Sequence, residues 1–117
     1  MSQASERLVH RISELEESND ELREKLLLHK RALREAARGV ESGNLTPDAV
    51  RSGGAPAMRV DLTDALAEFE RARHQVRLAL FAFMGLEQDT STAEIGRSLG
   101  ISRQLASRLA QEPKQSS

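Results

Sequence analysis

An all-α fold is predicted by three observations on this amino-acid sequence. Residues 6–40 carry an unbroken heptad pattern, residues 62–84 carry a second helical stripe, and residues 91–111 read as two short helices about a glycine turn. The predicted architecture is a long N-terminal coiled-coil helix (6–40), a flexible linker (41–60) and a C-terminal helical unit (61–112). Residues 113–117 read as a disordered tail.

The first element is the clearest. Leu8, Ile12, Leu15, Asn19, Leu22, Leu26, His29, Leu33, Ala36 and Val40 follow one another at alternating steps of four and three. Taking Leu8 as d, the a positions are Ile12, Asn19, Leu26, Leu33 and Val40. The d positions are Leu8, Leu15, Leu22, His29 and Ala36. At 1.5 Å per residue the helix is about 50 Å long. So narrow a seam has little to bury against within a short chain, so it is expected to pair between two copies. Folding back on the helix after the linker is the alternative. Asn19 and His29 interrupt the seam and are read as register-setting residues. Residues 6–24 carry seven acidic and three basic side chains, residues 25–40 one acidic and five basic. An antiparallel pair lays one half on the other and is preferred over a parallel one, by the narrow margin that weak surface ion pairs allow.

In the linker, Gly39 and Gly43 are expected to end the first helix. Pro47, Gly53, Gly54 and Pro56 block a long regular element. Thr46 and Pro47 fit the N-cap and first position of one short helical turn. Asp61 is placed to N-cap the next helix. Its stripe is Leu62, Leu66, Phe69, Val76, Leu80 and Phe83, with Ala65, Ala72 and Ala79 beside it. From Val76 to Leu86 the helix is apolar nearly all round. Leu78 or Phe81 is therefore expected to meet a second subunit or the first helix. Gly85 and Asp89 are expected to close it.

The third element, STAEIGRSLGISRQLASRLAQE from Ser91, meets the demands of two small helices crossing steeply. Gly96 supplies the small residue at the crossing, Gly100 the positive φ of the turn, and Ile101 the apolar plug after it. Ile95, Leu99, Ala106 and Leu109 are expected to be buried, and Ser102 to N-cap the second helix. These residues resemble the bacterial helix-turn-helix DNA-binding superfamily, in the form IxxxLGISxxxxSRL, over about 20 residues and without singling out one family. Gly96 departs from the more usual Ala of that pattern. The resemblance implies that the second helix enters the major groove. Ser102, Arg103, Gln104, Ser107 and Arg108 would then face bases or phosphates, and Arg97 and Thr92 would meet the phosphate backbone.

Composition agrees. The formal charge of −1 is unevenly spread: residues 61–70 hold four acidic groups and no base, residues 71–117 seven basic and four acidic. The positive segment is the one bearing the motif. The absence of cysteine excludes disulfides and thiolate metal sites and fits a reducing cytoplasm. No cofactor, metal site, catalytic constellation or membrane span is read in the chain. Arg outnumbers Lys and Ala is frequent, as in a GC-rich bacterial genome. The expected protein is a dimeric, cytoplasmic, nucleoid-associated regulator whose partner is double-stranded DNA. The alternatives are an adaptor whose coil binds a protein and an accessory of recombination or partition.

Overall fold

A computed structural model describes residues 2–115, with side chains placed for residues 2–112. All regular structure among the described residues is α-helical: α1 (Gln3–Ser42), α2 (Pro47–Ser52), α3 (Ala55–Glu87), α4 (Thr92–Leu99) and α5 (Arg103–Gln115). No helix among them is long and apolar enough to cross a membrane.

The expected linker is more ordered than its composition suggests. Gly43, at φ 73°, ends α1, whereas Gly39 stays inside the helix, its Cα facing Leu45. Thr46 caps α2 by accepting the Ala49 N–H at 3.1 Å, with Pro47 at its start. Helix α3 begins at Ala55, before the expected Leu62. Pro56 does not prevent this, because a proline in the first turn removes an N–H that has no helical partner anyway. Asp61 therefore lies within α3 and is not its cap. At the far end the helix runs through Gly85 to Glu87, and Asp89 turns the chain with a φ of 52°. The tail expected at 113–117 is helical to Gln115; its last two residues lie outside the described ones.

The chain divides into two compact units, Glu17–Glu70 and the pair of segments Met1–Glu16 and Arg71–Ser117. In the first, α1 folds back on α3 as an antiparallel hairpin. Lys25 Nζ lies 3.9 Å from Asp61 Oδ2, and Ser18, Leu22 and Ala65 are buried. Here the heptad seam is split. Its d residues Leu22, His29 and Ala36 are turned inward, half-buried or better, while Asn19, Leu26, Leu33 and Val40 in the a row stay exposed. The same division holds in the first turns of α1, where Leu8 and Leu15 are half-buried and Ile12 is exposed. On α3, Ala65, Ala72 and Ala79, seven apart, are buried, as is Phe81, whereas Leu66 is exposed. Small side chains in such a row permit close helix approach.

The second unit holds the main core. Phe81, Ile95, Ala106 and Leu109 are buried together, with Leu78, Met84, Ile101, Leu105 and Ala110 packed around them. Phe81 is buried with α4 and α5, and Leu78 packs beside it. The two short helices suffice because Ile95 and Leu109 turn their whole side chains onto the α3 surface. Burial of these large apolar groups, at about 25 cal/mol per Å², is what fixes α4 and α5 on α3.

Candidate nucleic-acid interface

Local chemistry sets the two helices that carry the candidate residues. Ser91 Oγ accepts the Glu94 N–H at 3.2 Å and starts α4. The helix ends at Gly100, whose φ of 69° is left-handed. The Gly100 N–H donates to the Arg97 carbonyl at 3.2 Å and the Ile101 N–H to the Gly96 carbonyl at 3.0 Å. That pair of bonds is a Schellman ending, which satisfies carbonyls the helix would otherwise leave open. Ser102 then starts α5: its Oγ accepts the Leu105 N–H at 3.1 Å. Only Gly100, Ile101 and Ser102 lie between α4 and α5, so the chain turns sharply.

Gly96 decides how closely the helices cross. A Cβ built there would lie 2.9 Å from Ala106 Cβ, closer than real Cβ atoms come. The alanine more usual at this place in the resembled pattern does not fit here. Ile95 and Gly96 on α4, and Ala106 and Leu109 on α5, are buried as expected, but Leu99 is 37% exposed. Leu99 is the last residue of α4, where the chain turns away at Gly100, so α5 does not cover it.

With the apolar faces consumed, the polar faces point outward. Thr92, Arg97, Arg103 and Ser107 line one open groove between α4 and α5, floored by Gly96, Ile101 and Ala106. Two guanidinium groups and two hydroxyls thus border one concave surface. Gln104 and Arg108 are exposed on α5 one turn apart, outside this lining, and Ser102 is exposed with its hydroxyl engaged in the cap. Arg97, Arg103 and Arg108 form no ion pair or side-chain hydrogen bond among the described residues. Three fixed positive charges with unspent donors favour anions, and a guanidinium matches phosphate or guanine bidentately.

Two features escape sequence reasoning. His74 Nε2 on α3 lies 3.0 Å from Glu112 Oε1 on α5 and ties the outer end of α5 to its support. The partners are 38 residues apart and neither belongs to a recognisable motif. The groove floor is the second: Ile101 was legible as a turn plug, not as a surface of the groove. No group of three or more potential metal-ligating side chains is present among the described residues. No family model, curated protein or solved structure matches this chain.

Proposed function

We propose that α4 and α5 form a helix-turn-helix that reads double-stranded DNA, with α5 in the major groove. The observation that carries this reading is the trio of exposed, unpaired arginines on a crossing held closed by Gly96 and turned by Gly100. Arg103 and Gln104 open α5, the end that meets base edges in this docking mode. Arg pairs with guanine O6 and N7, and Gln with adenine N6 and N7. Arg97 and Thr92, beside the groove, suit phosphate contacts that fix orientation without reading sequence. A transcriptional regulator associated with the nucleoid is the role this reading implies. Docking of a protein partner on α5 has less in its favour, because the exposed face offers Arg103, Gln104, Ser107 and Arg108 and no aromatic or aliphatic anchor.

Equilibrium binding to mixed genomic duplexes across a salt series tests the proposal. Affinity is expected to fall linearly on a log–log plot, by about 0.9 per phosphate neutralised. Arg97→Ala should weaken binding to all sequences alike and flatten that slope by about one. Salt-independent binding, or none at low salt by folded protein, would overturn it.

A further inference from the structure

The hairpin of α1 and α3 leaves a second apolar surface on α1. Leu26, Leu33 and Val40 are 46%, 57% and 64% exposed, and Leu27 beside them is 50% exposed. These residues are the half of the heptad seam that α3 does not use. A heptad row persists in a sequence when helices pack along it, and the inward row already serves the hairpin.

The flanking charges identify the occupant. Asp20, Leu27 and Arg34 lie seven apart on one edge of the exposed row. All three are exposed, and neither Asp20 nor Arg34 has an ion pair among the described residues. The row reads the same from both ends with the charge inverted, centred on Leu27. Two copies laid antiparallel about that centre put Asp20 of each against Arg34 of the other. Laid parallel, they oppose Asp20 to Asp20 and Arg34 to Arg34. The wider segment repeats the asymmetry: residues 17–24 carry four acidic and one basic side chain, residues 25–40 one acidic and five basic. Opposite charge across an interface fixes register and excludes the wrong arrangement.

We infer that this face of α1, from Asp20 to Arg34, binds a second copy of the chain in antiparallel orientation. A twofold axis passes near Leu26 and Leu27. The inference is independent of DNA binding, and its test uses no DNA.

Sedimentation of the full chain at micromolar concentration should give a dimer. Leu26→Glu should convert it to a monomer while leaving the helical circular dichroism intact, since Leu26 is exposed in the single chain. Asp20→Arg alone should weaken association about tenfold, and adding Arg34→Asp should restore it, because the pair is re-formed with its signs exchanged. In a parallel dimer neither change alters the pattern of like charges. A wild-type monomer, a dimer that survives Leu26→Glu, or a monomer that binds anionic vesicles through these leucines would overturn the inference. So would failure of the charge exchange to restore the dimer.

Discussion

Gly96 bears the most constraint of any residue in the α4–α5 unit. Replacing it with Ala gains up to about 1 kcal/mol of helix propensity. The added Cβ, 2.9 Å from Ala106 Cβ, forces the helices apart at a cost of about 1–3 kcal/mol. The clash outweighs the propensity, so chemical denaturation of Gly96→Ala should show net destabilisation, and Ala106→Gly added to it should recover part of the loss. Ser18 is the opposite case. Its hydroxyl is buried without a hydrogen-bond partner among the described residues. An orphaned hydroxyl costs about 1–3 kcal/mol. Ser18→Ala should therefore raise the denaturation midpoint. Asp89 holds a φ of 52°, where an L side chain is strained and glycine is not. Asp89→Gly should be neutral or stabilising, whereas Asp89→Val should lower the midpoint.

Helix boundaries follow caps more faithfully than composition. Thr46 and Ser102 were legible as N-caps because a hydroxyl before a helical stripe has one obvious use, and each accepts the expected N–H. Ser102→Ala removes the cap of α5 and should cost about 1 kcal/mol, read by thermal melting. Pro56, Asp61 and Gly85 misled for a common reason. Each is a residue that stops or starts helices on average, and each sits where the continuing helix tolerates it. The heptad row of α1 was legible as a row, but not which half faces α3. The a and d residues are chemically alike, so the pattern by itself does not separate the two halves. The candidate interface was more accessible. Arg97, Arg103, Gln104, Ser107 and Arg108 all lie exposed on α4 or α5, because an amphipathic helix with a known buried face has only one remaining face. That Thr92, Arg97, Arg103 and Ser107 share a groove could not be read, since it depends on the crossing at Gly96.

At the scale of the whole molecule, the helices of the described residues are divided between two units. One unit sets α4 and α5 on α3 through Phe81, Ile95, Ala106 and Leu109. The other leaves Leu26, Leu33 and Val40 of α1 exposed, the face inferred above to bind a second copy. Self-association would place two α5 helices on one particle, and binding of both to one duplex raises affinity through effective concentration. Leu26→Glu should accordingly lower affinity for a two-site duplex far more than for a single half-site, as titration of the two lengths would register. The central claim is that α5 reads bases, and selection from a random duplex library by the purified protein tests it most directly. Wild-type protein should enrich a defined sequence. Arg103→Ala should lose preference at one base pair, worth about 1–3 kcal/mol, while still binding. Enrichment of no sequence at low salt by folded protein, or an unchanged motif from Arg103→Ala, would contradict it.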